Sequence, residues 1–275
     1  MFLELKRDGK IKGRSVAGEN KQRDLIREEE ASSTTVATDG VLLSYVIDAH
    51  EYRDITTIDI PNALIQTSVE KIEDMATIIL LGALVDVLVE IVPDIYGPYV
   101  STDKKGIKTL ILRFHNATYG TMVASLLYYK QIFKTIKHLG FKINPYDPCA
   151  ANRTIDDNQR TVCWHVDDCK ISHVNSKFNN KLIKLLKQEY ESIFEDVTGK
   201  MTVNRGKKHK YLGMTLNYSE KGACQITMFE NLKSILETFE KIDTKEKGTK
   251  KSVAPANLFT VQEDCKKLDK ELLKY

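Results

Sequence analysis

Thr161-Val162-Cys163-Trp164-His165-Val166-Asp167-Asp168-Cys169-Lys170-Ile171-Ser172 sets two adjacent carboxylates between two β-prone runs. Val, Thr, Ile and Trp suit a pleated, half-buried surface, and paired Asp residues do not. The stretch predicts a hairpin with Asp167 and Asp168 at or beside its turn. Two like charges so close repel each other unless a cation lies between them. The plainer alternative is a solvated turn whose Asp side chains accept from nearby amides. Spacing alone leaves both open.

A third carboxylate lies upstream, in Asp54-Ile55-Thr56-Thr57-Ile58-Asp59-Ile60-Pro61-Asn62-Ala63-Leu64. Ile55 to Ile60 is a β-branched run, and Pro61 cannot donate to a central ladder. The strand is expected to end near Ile60, with Asp59 at its carboxyl end. Val85 to Val92 and Thr109 to Phe114 read as further strands. Phe2 to Leu5 and Ile11 to Val16 read as a strand pair around Asp8-Gly9.

Helical spacing appears in three places. Leu42, Leu43, Val46 and Ile47 follow the candidate caps Ser32 to Thr35. Val123, Leu126, Leu127, Phe133 and Ile136 form an apolar stripe that Tyr119-Gly120 opens and Gly140 ends. Asn175 is placed to cap a helix bearing Phe178, Leu182, Leu185, Leu186, Tyr190, Ile193 and Phe194. A second hairpin is expected from Tyr211 to Met228 around Gly222, then a short helix from Asn231 to Phe239. Strand runs broken by two long helices, with antiparallel hairpins, imply an α+β fold: an antiparallel sheet with helices on one face. On such a sheet Asp59, Asp167 and Asp168 would converge.

Composition narrows the class. The 275 residues carry 42% apolar and 29% charged side chains with a net charge of +3, values of a soluble globular protein. Basic residues cluster at Lys200, Arg205, Lys207, Lys208 and Lys210, and again at Lys245, Lys247, Lys250 and Lys251. The first cluster reads equally as a phosphate surface or a solvated loop, the second as a solvated linker. Five cysteines with no CxxC pair argue against a disulfide framework. Cys163, His165 and Cys169 match no common zinc spacing. Ile78 to Val92 is too short for a bilayer span and is broken by Asp86 and Glu90. Met1 to Lys12 lacks a signal-peptide core, so an intracellular protein is expected.

Taken in order, several blocks resemble the reverse transcriptase of Ty1/copia-type retrotransposon polyproteins. Thr57-Ile58-Asp59-Ile60-Pro61-Asn62-Ala63 is similar to the first acidic motif of a polymerase palm. Tyr119-Gly120 resembles the motif that contacts template and nucleotide. Asn144-Pro145-Tyr146-Asp147-Pro148-Cys149-Ala150-Ala151-Asn152 is similar to the run before the acidic hairpin. Trp164-His165-Val166-Asp167-Asp168 stands at the aromatic-x-Asp-Asp box, and Tyr211-Leu212-Gly213-Met214 at the block near the primer grip. The resemblance implies right-hand polymerase fingers and palm. Residues 1–54 would be fingers, 55–240 palm with a fingers insert at about 65–118, and 241–275 a linker where a thumb begins and is truncated.

It further implies RNA-directed DNA polymerase activity with two Mg²⁺ ions, or Mn²⁺, held by Asp59, Asp167, Asp168 and the Ile60 carbonyl. Lys12, Arg14, Leu64 and Gly120 would meet the incoming deoxynucleoside triphosphate. Tyr119, His165, Tyr211, Leu212 and Gly213 would meet template and primer. Partners would be a primed RNA or DNA template, with RNase H and integrase segments absent from this chain. The setting would be a cytoplasmic virus-like particle with a nuclear stage. Leu64 replaces the family's usual Phe or Tyr at the sugar-excluding position, and His165 replaces the usual aromatic residue. The helix after Gly120 lacks Lys-Gln-Ala-Pro, and Glu70 to Ile79 looks shortened. A decayed, non-catalytic nucleic-acid-binding remnant is the alternative.

Overall fold

The computed structural model describes residues 2–5, 11–14, 16, 26–27, 31–69, 77–191 and 200–239. The chain divides into two units, Met1–Asn231 and Leu232–Tyr275. In the first, β1 (Phe2–Leu5) pairs antiparallel with β2 (Ile11–Arg14). Helix α1 (Thr38–His50) precedes β3 (Asp54–Asp59). There follow β4 (Thr77–Leu81), α2 (Ala83–Ile91), β5 (Ser101–Thr102) and β6 (Lys108–Arg113). Helix α3 (Ala124–His138) leads to β7 (Lys142–Asn144), β8 (Asp147–Ile155), β9 (Asn158–His165) and β10 (Asp168–His173). Helix α4 (Ser176–Tyr190) is followed by β11 (Thr202–Arg205), β12 (Lys208–Tyr211), β13 (Met214–Asn217) and β14 (Gln225–Thr227). Helix α5 runs from Phe229 to Phe239.

The mixed α/β fold is built on antiparallel sheets. The largest has six strands in the order β11-β3-β10-β9-β8-β7, beside three-stranded sheets β12-β13-β14 and β4-β6-β5. Side chains paired across a ladder share a face, so Lys170, with Thr57 and Cys163 opposite it, marks one face of the large sheet. Cys169, with Ile58 and Trp164 opposite it, marks the other.

Helices cover both faces, which corrects the one-sided expectation. α3 and α4 are joined by the Tyr190 hydroxyl, 3.4 Å from Thr135 Oγ1. They cover the Cys169 face, where the Phe178 ring meets His173 edge-on at 5.1 Å. α1 covers the Lys170 face: Asp48 bonds Lys170, and Arg53, just past the helix, donates to Thr161 at 2.9 Å. The sheet is thus a middle layer, with Trp164, Ile58, Ile171 and Val162 buried within it.

The run from Val85 is helical as far as Ile91 rather than a strand. Gly82, at φ +58°, starts α2, a backbone angle open to glycine. Asp86 and Glu90 stand four apart on one helical side, and Asp86 accepts from Lys108 at 2.5 Å. The strand in this region is β4, which pairs with β6 from Thr77↔Arg113 to Leu81↔Thr109. The caps expected at Ser32 to Thr35 are not used either. Ala37 occupies the α1 N-cap, and its amide donates to Asp147 Oδ2 at 3.0 Å, from 110 residues away. Asn175 does cap α4, accepting from the Lys177 amide at 3.0 Å.

Candidate functional site

The hairpin forms where the sequence puts it. β9 ends at His165, β10 begins at Asp168, and Val166-Asp167 make the turn. Val166 sits at φ +53°. A β-branched residue there is strained by roughly 1–3 kcal/mol, and the ladder on either side holds it. β3 lies on the other side of β10 and ends at Asp59, as Pro61 dictates. The register then decides the site: Asp168 lies directly opposite Asp59 on one side and opposite His165 on the other. The Ile60 amide donates to the Asp167 carbonyl at 3.1 Å, closing the end of the ladder.

Three carboxylates therefore gather at one end of the sheet, Asp59 exposed and Asp167 and Asp168 half-buried. Their crowding shows in the acidity of Asp168. Burial first, then the charges of Asp167 and Asp59, push its carboxyl up to about 6 from 3.8, against a smaller opposing pull from His165. Oxygen donors that repel one another are the donor set a hard cation favours. Among the described residues, however, no group of three or more His, Cys, Asp or Glu is placed to hold a metal ion. The donor chemistry fits Mg²⁺ bound through one or two carboxylates with substrate oxygens completing the shell; it does not form a closed protein cage.

Beside the acids opens a cleft of about 480 Å³, lined by Thr57, Asp59 and Asp168 on one wall and Asn204, Lys208, His209, Lys210 and Thr215 on another. β12 alternates outward Lys208 and Lys210 with inward His209 and Tyr211. The Tyr211 hydroxyl donates to the Cys163 carbonyl at 3.3 Å. The β12–β13 turn is Leu212-Gly213, with φ of +50° and +73°, the two positive angles that a tight hairpin turn demands. A Cβ added at Gly213 would come within 3.1 Å of Asn231 Nδ2.

His209 is a site residue that the sequence reading missed. It is 1% exposed, with Nε2 3.0 Å from the Gly206 carbonyl and Nδ1 3.3 Å from Thr57 Oγ1. The carbonyl can only accept, so Nε2 carries the proton and Nδ1 accepts from the Thr57 hydroxyl. The available signal was its odd position in Lys208-His209-Lys210-Tyr211, inward by period two. Burial, chiefly, and the nearby Lys170 cation lower its pKa; the Gly206 carbonyl, Asp54 and Asp48 act the other way. A histidine buried neutral loses stability on acidification, because the unfolded chain takes the proton first, below about pH 6.5. Stability is expected to fall from that pH downward, and His209→Gln to flatten the decline in denaturant titrations at pH 7.5, 6 and 5. Identical slopes in parent and variant would refute this.

The other expected site residues are more dispersed. Leu64 is 8% exposed and packs into the main core after β3. Tyr119 and Gly120, the latter at φ +85°, form the turn before α3. That approach is tied to the segment after β3 by the Ala117 amide, 2.8 Å from the Thr67 carbonyl. Lys12 and Arg14 lie on β2, opposite Glu4 and Phe2. Of the first basic cluster, Lys208 and Lys210 reach the cleft, whereas Arg205 instead binds Asp54 at 2.5 Å. Residues Lys245 to Lys251 lie outside the described residues, as do Ile193 and Phe194.

No family model matches the chain, and no curated protein matches it. Among solved structures, apo telomerase from Candida tropicalis truncated from its C-terminal domain is similar at 12% identity and a TM-score of 0.39, over 76% of this chain and 43% of that one. Telomerase from Candida albicans in complex with a fragment of telomeric RNA is similar at 11% identity and 0.37, over 82% and 41%. The chain spans about two fifths of the length of those two. At these scores the likeness fixes neither fold nor activity. Among the described residues, no helix is long and apolar enough to cross a membrane.

Proposed function

We propose that this chain is the fingers-and-palm part of a Ty1/copia-type reverse transcriptase, extending a primer on a nucleic-acid template by nucleotidyl transfer. The observation that carries the reading is the ladder register that sets Asp168 opposite Asp59 with Asp167 in the adjoining turn. In-line phosphoryl transfer depends on positioning and charge stabilisation more than on covalent chemistry by the protein. The end of a sheet with three carboxylates, beside a cleft with two lysines, supplies both signs of charge. Asp59, Asp167 and Asp168, with the Ile60 carbonyl, are the groups to hold divalent cations. A bound Mg²⁺ pair would activate the primer 3′ hydroxyl and stabilise the departing pyrophosphate.

The chain's own residues do the rest. The ladder fixes where the carboxylates stand, His165 lies across from Asp168, and Lys208 and Lys210 face phosphates. A second reading, a non-catalytic nucleic-acid-binding remnant, draws on Leu64, buried in the core where the resembled family usually places Phe or Tyr. Extension of a DNA primer on an RNA template, in the parent and in Asp167→Asn, separates the two. Extension by the parent with a drop of roughly 10²–10³-fold in the variant is expected if the carboxylates stabilise the transition state. No extension by either, with the RNA–DNA hybrid still bound, would leave the remnant reading in place.

A further inference from the structure

We propose that His209 is a positioning residue whose two ring nitrogens strap β12 to β3, holding Lys208 and Lys210 at a fixed reach from Asp59 so that one phosphate backbone can lie in the cleft between them. The inference rests on the nucleic-acid reading above and adds the device that sets the width of its site. Strand β12 follows Gly206, whose φ of +115° is closed to other side chains, so the β11–β12 turn is sharp. The Gly206 carbonyl accepts from His209 at 3.0 Å, which fixes the turn to the strand after it. The second nitrogen meets Thr57, two residues before Asp59 and on the same face of β3. One imidazole therefore links the turn, the lysine-bearing strand and the acid-bearing strand.

The surroundings favour a clamp over a packing filler. A hydrocarbon of the same size would fill the volume without fixing the register of β12 against β3. The Thr57 bond is buried and the Gly206 bond partly so, and in such surroundings losing a partner is costly and geometry is tightly held. The Tyr218 ring stands edge-on to the imidazole at 6.3 Å. Lys170, Asp48 and Asp54 are the charged groups that act on it electrostatically. Lys208 and Lys210 alternate outward from the residue so held.

The test is binding of a fluorescent RNA–DNA hybrid by anisotropy across a salt series, with the parent, His209→Leu, His209→Gln, Thr57→Val and the double variant Lys208→Ala/Lys210→Ala. Each phosphate contact steepens the dependence of log Kd on log salt by about one. The lysine pair variant should lower the slope by about two. His209→Leu and Thr57→Val should lower it by about one to two and weaken binding roughly tenfold at 0.1 M salt, because the lysines lose their aim. His209→Gln, which keeps a donor and an acceptor, should stay within about threefold of the parent. A His209→Leu that melts lower yet keeps the parent's Kd and salt slope would make the residue merely structural and overturn the proposal. If His209→Leu does not fold, Thr57→Val decides on the same readout. Hybrid binding without extension would overturn the polymerase reading alone, whereas a parent that binds no hybrid would overturn both.

Discussion

Lys170→Ala is expected to lower folding stability by about 3–5 kcal/mol, the cost of leaving a buried partner charge uncompensated. Lys170 stands inside a strand at 1% exposure, and its ammonium makes a close ion pair with Asp48, also at 1%. The Tyr45 ring centroid lies 5.5 Å from the same nitrogen. Among the described residues, Arg53 is the only other cation paired with Asp48, at 3.8 Å, and it is held by Glu51 at 2.9 Å and by Thr161. Removing the lysine leaves Asp48 with a distant, shared partner. Lys170→Met with Asp48→Leu should recover much of the loss, because replacing both charges by hydrocarbon removes the desolvation penalty with the attraction. Guanidinium titrations decide it: a single variant within about 1 kcal/mol of the parent would mean that Arg53 alone satisfies Asp48.

Asp168→Asn is expected to move stability and activity in opposite directions. Its carboxyl, at about 6 against 3.8, keeps its proton in the folded chain after the unfolded chain has lost it. Stability from this group is therefore full below about pH 4, falls between about pH 4 and 6, and stays lost at neutral pH. Removing the charge should stabilise the metal-free protein at pH 7.5 by about 1–2 kcal/mol, allowing for solvent screening of a half-buried group. The same change should lower metal-dependent extension by roughly 10²–10³-fold, the trade expected where charges are crowded for function. A variant less stable than the parent at pH 7.5 would mean that the Asp168 charge is already compensated within the protein. Denaturant titrations with and without Mg²⁺, beside extension rates, provide both readings.

What the sequence disclosed depended on how far apart the deciding residues lie. The acidic hairpin was legible because its strands and turn are contiguous and follow period two, and Asp59 because Pro61 ends its strand two residues later. The opposition of Asp59 and Asp168 needed only the assumption that the two strands are neighbours. Helix α2 was misread because its Val-rich run mimics a strand; Gly82 and the Asp86-to-Glu90 interval were the contrary signals. The two-sided cover of the sheet has no local signal, because it turns on Lys170 meeting Asp48, 122 residues apart. The His209 bonds to Thr57 and Gly206 were equally hidden, since no periodicity records which hydroxyl a buried imidazole will find.

The carboxylate that closes helix α1 also constrains the order in which the chain can assemble. Asp147 accepts from the Ala37 amide at 3.0 Å through one oxygen and from the Cys149 amide at 2.9 Å through the other. A Cβ at Gly40 would lie 2.8 Å from it, so the fit is close. During synthesis, 110 residues must emerge after Ala37 before this cap exists. Until then the first turn of α1 has only water for its amides, and a helix of 13 residues is marginal in that state. Contacts this distant in sequence slow folding, because loop closure precedes their reward. Helix α1 is thus expected to become protected from hydrogen exchange only after β8 is in place, late in refolding, although it leaves the ribosome well before β8.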